Sequence, residues 1–245
     1  MRPNPLLLAA ALTLLPAAQA LAERGPVPPD PEQDPMLITA GFLASHPDMN
    51  YRLLGMEAFR DKRYEDAMRL FRRAAFYADK ASQGMVAEMY WNGQGVARDP
   101  VLAYVWMDLA AERGYPQFIA LRERYWKALD AAQQARAVEE GQAVYASFGD
   151  DVARPRYAFH LRNARREMTG SRTGFNRGVA IEVPGPSGNQ SVEGSKYYDE
   201  RYWDPEKYFA WQDRLWKGGR VEVGEIERTD APPPPPPPPP APPSR

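Results

Sequence analysis

The sequence predicts an all-α protein: a short solenoid of antiparallel helix pairs, a helical C-terminal extension, and disordered Pro-rich ends. Three observations predict it. One apolar pattern with helical spacing occurs twice, 36 residues apart. Each copy is bracketed by helix start and stop signals. The two ends of the chain are too rich in proline to contribute to a core.

The first 22 residues are set apart from the fold. Arg2 gives a short positive start, "LLLAAALTLLPAA" is apolar, and "AQALA" offers small-x-small cleavage sites after Ala20 or Ala22. This is the pattern of a secretory signal peptide; the apolar run falls short of the roughly 20 residues that span a bilayer. The expected location is the periplasm or the exterior of a bacterium, with the mature chain starting at Leu21 or Glu23. The 245 residues include no cysteine, so neither disulfides nor a lipid-bearing cysteine is available, and an exported chain must rely on its core. Without Arg2 the mature chain has 30 basic and 32 acidic side chains, too balanced for a strong overall field.

Residues 23–35 form a polar Pro-rich linker. The repeat region is expected over 36–148. Ala103, Trp106, Met107, Ala110 and Ala111 fall on one helical stripe, and Ala67, Leu70, Phe71, Ala74 and Ala75 repeat that spacing. Small residues let two helices approach, and the large residue between them fills the gap. Asp99-Pro100 is a helix start, with Asp as N-cap and Pro at the first helical position. His46-Pro47 reads the same way. Gly114 is placed as a C-terminal cap, and Gly93 and Gly95 free the loop inside one unit, with Val96 as a plug beneath it. After Gly114 two further helices are expected, with Asp130 and Gln133 as a capping box between them.

On these residues the segment 81–114 resembles a Sel-one-like repeat (SLR), a relative of the tetratricopeptide repeat. The pattern runs through Ala81, Tyr90, Gly93, Gly95, Val96, Asp99, Ala103, Trp106, Ala110, Ala111 and Gly114; Val86-Ala87 replaces the usual Leu-Gly. The preceding unit, 51–80, is similar to the tetratricopeptide form through Tyr51, Leu54, Gly55, Ala58, Tyr64, Ala67, Phe71 and Ala74, with Asp79 where a late proline is usual. The resemblance implies protein–protein interaction, by an adaptor or scaffold that holds a partner. Self-similarity at this period is the mark of stacked helical pairs, and the helices after Gly114 would be the atypical closing unit.

Residues 149–228 form an extension rich in arginine and aromatic residues. Residues 154–177 hold seven arginines and one acid, Glu167. A helix is expected from Pro155 to about Gly170. Arg162, Arg165, Arg166 and Arg172 are candidates for a basic patch that docks an acidic protein segment or an anionic envelope polymer; the alternative is a solvated face. "TGSRTG" (169–174) reads as a turn or as an anion cradle. Residues 197–216 hold eight aromatics, and Asp204-Pro205 starts a helix there. Tyr208 and Trp211 are candidates for an aromatic partner-binding face; the alternative is that this helix packs back onto the repeats. "GVAIEV" (178–183) and "RVEVGEI" (220–226) alternate weakly and are expected to pair. The tail, 229–245, contains nine consecutive prolines, Pro232–Pro240, a semi-rigid spacer or a disordered end.

Chemistry is not predicted. His46 and His160 are isolated from each other and from any catalytic motif, and no phosphate loop, nucleophile elbow or metal-binding pair occurs. The expectation is no enzyme, no cofactor, no metal and no nucleic acid. The leading function is an exported adaptor that binds a protein; the second is a structural envelope protein that holds cell-wall or membrane components.

Overall fold

A computed structural model describes residues 38, 41–169, 180–185 and 188–217. The signal segment, the Pro-rich linker, Arg172, the "TGSRTG" loop beyond Thr169, the strand expected at 220–226 and the polyproline tail lie outside the described residues. The rest is helical, with one hairpin.

After a 3₁₀ turn at Phe42–Ser45, helix α1 spans Pro47–Arg60 and α2 spans Tyr64–Phe76. Pro47 stands at the first helical position, where its missing N–H removes no hydrogen bond. The pair crosses closely at Gly55: a Cβ there would sit 2.7 Å from the Phe71 ring, so a side chain on α1 would push that ring away. The next pair is α3 (Lys80–Asn92) and α4 (Pro100–Ala110). Asp79 caps α3 by accepting the Ser82 N–H at 2.9 Å, and Asp99 caps α4 by accepting from Val101 and Leu102 at 2.9 and 3.1 Å.

The loop between these helices follows from its glycines. Gly93 and Gly95 have φ of 70° and 69°. At Gly95 a Cβ would lie 2.5 Å from the Tyr64 carbonyl carbon, so this loop presses on the start of α2 and admits no side chain. Val96 is partly buried against the repeat core. Gly114, with φ 73°, ends the 3₁₀ turn that finishes α4. Both copies of the stripe face inward: Ala67, Phe71, Ala74, Ala75, Ala103, Trp106, Met107, Ala110 and Ala111 are buried.

Helices α5 (Pro116–Ala128) and α6 (Ala131–Phe148) close the array by packing on α4. The capping box is present: Asp130 accepts from the Gln133 N–H at 2.8 Å, and Gln133 accepts from the Asp130 N–H at 3.0 Å.

Helix α7 spans Asp150–Thr169 and starts five residues before Pro155. Asp150 and Asp151 form its first turn, where acidic side chains suit the helix dipole. Strand β1 (Ala180–Gly185) pairs antiparallel with β2 (Gly188–Glu193), Ala180 opposite Glu193. The first expected strand therefore exists, and among the described residues its partner is the adjacent segment, a short hairpin that closes a small loop; the expected partner, 220–226, lies outside the described residues. Two short helices, α8 (Gly194–Tyr197) and α9 (Glu200–Trp203), lead to α10 (Pro205–Lys217), which begins at Asp204-Pro205 as expected.

The interior has two main parts. One fills the repeats and includes Met68, Phe71, Met85, Met89, Trp106, Met107 and Phe118. The other joins Phe42 and Met49 at the start of the fold to Tyr157 and Leu161 on α7 and to Tyr202, Trp203, Tyr208, Phe209 and Trp211. Helix α10 bridges them: Trp216 packs on Tyr115 and Phe118 of the repeats, and the Tyr115 hydroxyl donates to Asp213 at 2.6 Å.

Candidate partner-binding surface

The residues singled out in the extension separate into two groups. Tyr208 and Trp211 are 1% and 0% exposed. Tyr208 donates to Asp48 on α1, and Trp211 lies edge-on to the Tyr202 ring at 5.3 Å. They are core, so the aromatic face does not meet a partner; α10 packs back onto the repeats. Arg162 and Arg166 are exposed on α7, on the same face as Phe159, itself 65% exposed. Arg165 is partly buried, and its charge acts on Glu200 and Lys207.

The buried ionisable groups lie where repeats and extension meet. Lys80 donates to Glu112 at 2.6 Å and stands 3.1 Å from Asp150; Arg113 donates to both oxygens of Asp150 at 2.7 and 2.9 Å. Burial alone would raise the Asp150 carboxyl, but Arg113 and Lys80 outweigh it and hold it below the usual range. Burial, then Arg113, pushes Lys80 down against the pull of both carboxylates. Nearby, burial drives Asp48 up to about 6, against the hydrogen bond from Tyr208. His46 is fully enclosed, and burial takes it down to about 4 although its ring nitrogens lie 2.9 Å from the Phe42 and Tyr202 carbonyls. A neutral imidazole has one N–H, so it donates to one of the two carbonyls at a time. The void beside Asp48, Lys80 and Arg113 measures about 10 Å³, room for one water and not for a substrate. These groups hold the seam. Among the described residues no cluster of His, Asp and Glu is arranged to bind a metal.

An open concavity lies elsewhere among the described residues. A cleft of about 390 Å³ is lined by Tyr51 from α1, Arg72, Arg73 and Phe76 from α2, Tyr77, and Phe148 at the end of α6. Phe76 is 40% exposed, unusual for a phenylalanine inside a repeat. Each arginine beside it rests on rings. Arg72 lies 5.2 Å from the Trp106 ring and 5.5 Å from that of Phe148, Arg73 lies 5.4 Å from Tyr51, and Arg156 of α7 lies 3.5 Å from Phe76. Arg156 is further fixed by donating to the Phe76 and Ser147 carbonyls. Among the described residues none of the three pairs with a carboxylate. Stacking orients the guanidinium planes while leaving N–H groups to offer. Such a surface suits an extended peptide that brings carbonyls, carboxylates and apolar rings.

Sequence reasoning did not select this cleft. Its signal is present, however: Arg72, Arg73 and Phe76 are among the α2 residues that fall off the buried stripe of Ala67, Phe71, Ala74 and Ala75, and they cluster in its last turns. An off-stripe phenylalanine beside two arginines is an exposed apolar group with a charged rim. The remainder, Tyr51 and Phe148, comes from elements distant in sequence.

Residues 80–115 match the Sel1 repeat family. The match spans 36 of the 245 residues. Its boundaries take in α3, the Gly93–Gly95 loop, α4 and the Gly114 cap. Sel1 repeats generally mediate protein–protein interaction. Among solved structures the chain is similar to a protective antigen present in uropathogenic Escherichia coli strains that displays an SLR fold, at 23% identity and a TM-score of 0.40. That likeness covers 54% of this chain and 27% of the antigen. No curated protein matches.

Proposed function

We propose that this protein is an exported helical-repeat adaptor of the bacterial envelope that captures a protein partner on the arginine–aromatic cleft. The observation that carries the reading is the cleft itself, where three ring-stacked arginines without carboxylate partners surround an exposed phenylalanine on a repeat of an interaction family. Export is supported by the sequence of residues 1–22. No described helix is long and apolar enough to cross a membrane.

The test compares the native chain with an Arg72→Glu/Arg73→Glu variant. Both are offered envelope extract and, separately, purified cell wall. An adaptor retains a defined protein in the native form and loses it in the variant. Equal retention on cell wall by both forms, with no protein captured, favours the structural-envelope role instead. N-terminal sequencing of the native protein decides export: a start at Leu21 or Glu23 is expected, and an intact Met1 contradicts it.

A further inference from the structure

We infer that the cleft has an occupant within this chain, the acidic Pro-rich segment Pro26–Pro35. The inference rests on the reading of the cleft as a peptide-binding surface. It starts from charge. Arg72, Arg73 and Arg156 line or border the cleft without a carboxylate partner among the described residues. The segment "PVPPDPEQDP" carries Asp30, Glu32 and Asp34 and no basic residue, so its charge matches the three guanidinium groups in number and is opposite in sign.

The second argument is shape. The cleft walls are rings: Tyr51, Phe76, Tyr77 and Phe148. Prolines fix φ near −65° and lack an N–H, so Pro-rich segments dock on aromatic grooves at little entropic cost. The segment has five prolines interleaved with its acids.

The third argument is reach. Phe42 and Leu43, where the chain enters the fold, belong to the same apolar cluster as Tyr77, which also lines the cleft. The acids lie seven to eleven residues before Gly41. An extended chain covers about 3.3–3.6 Å per residue, so the acids lie within about 25–40 Å of that entry point. A tether this short gives an effective concentration of order mM, enough for a weak contact to stay formed. The polyproline tail is a poorer fit, since Pro232–Pro240 offers no carboxylate and starts fifteen residues after Lys217.

The absence of native cysteine makes the test direct. A Gln33→Cys variant of the protein as recovered from cells is spin-labelled, and paramagnetic broadening is read at the backbone amides of Tyr51, Arg72, Arg73, Phe76 and Phe148. Docking predicts that these amides lose most of their intensity, while those at the far end of α5 keep theirs. The loss should vanish in the triple variant Asp30→Asn, Glu32→Gln, Asp34→Asn, which leaves the folded core untouched. It should also weaken as salt rises from about 0.1 to 1 M and the screening length falls from about 10 to 3 Å. Uniform intensities in the charged chain overturn the inference, as does broadening that survives the triple variant. Broadening of isotope-labelled, spin-free chains mixed with labelled unenriched ones also overturns it, because the occupant is then a second copy. Each negative result leaves partner capture by the Arg72→Glu/Arg73→Glu comparison unaffected, so the two readings fail separately.

Discussion

The repeats and the extension are built from different materials. The repeat core is alanine and methionine around Phe71 and Trp106, and its helices pack on neighbours in sequence, α1 on α2 and α3 on α4. The core of the extension is ring against ring, with Phe42, Tyr157, Tyr202, Trp203, Tyr208 and Trp211 in mutual contact. It is also closed by long-range bonds: His46 to Tyr202 and Tyr208 to Asp48 are 156 and 160 residues apart. The first region is periodic and local. The second is a clamp that ties the start of the fold to its end, so stability of α1 depends on residues that no repeat contains.

The largest expected effects test whether the clamp and the repeats form one unit. Trp211→Ala and Trp106→Ala each empty a fully buried site and should cost about 3–5 kcal/mol. Urea unfolding followed by near- and far-ultraviolet circular dichroism should show coincident transitions in both variants. A Trp211→Ala protein that loses its aromatic signal well before its helix signal would separate the two regions. Asp150→Ala leaves Lys80 and Arg113 buried without their shared carboxylate and should cost about 3–5 kcal/mol, read by the same unfolding curves.

A smaller effect depends on pH. The folded pKa of His46 lies near 4, below its ordinary 6.5, so its contribution is full above pH 6.5 and is lost as pH falls toward 4. The folded pKa of Asp48 lies near 6, above its ordinary 3.8, so its contribution is full below 3.8 and is lost as pH rises through 6. Between about pH 4 and 6 the two slopes oppose each other. Asp48→Asn should therefore make stability rise with pH across that window, and His46→Gln should make it fall, each by about 1.4 kcal/mol per pH unit. Denaturant titrations at several pH values measure this; equal slopes in parent and variants would contradict it.

The smallest effects belong to a single added contact in the repeat and to one helix cap. Ala110→Leu should overpack a fully buried helix contact by about 1–3 kcal/mol. Asp130→Ala removes the capping box of α6 at about 1 kcal/mol. Thermal melts resolve both, and a neutral Ala110→Leu would place that alanine away from a close contact.

What was legible follows the same division. The stripe at Ala103, Trp106 and Ala110, the Asp99 cap and the Gly93–Gly95 loop are local features, and a helix repeats its pattern every 3.6 residues whatever surrounds it. The aromatic density of 197–216 was visible, and packing back onto the repeats was one of its two readings; the choice between them was not legible, because Tyr208 meets Asp48 on α1 and Tyr157 on α7, and Trp211 meets Tyr202 on α9. The start of α7 was misplaced for a similar reason. Pro155 is a good first helical residue, yet Asp150 is drawn into the helix by Lys80 and Arg113, and that pull is tertiary. The cleft needed the fold to bring Tyr51, Phe76 and Phe148 together.

This cleft is the proposed place where a partner binds. In-cell photo-crosslinking tests this, with a photoreactive phenylalanine placed in turn at Phe76, Phe159 and Val138, all exposed and on three different helices. One discrete protein adduct is expected from Phe76, lost when Arg72 and Arg73 are changed to Glu, and none is expected from Val138. A discrete adduct from Phe159 or Val138 that is indifferent to those two arginines, with none from Phe76, would contradict it.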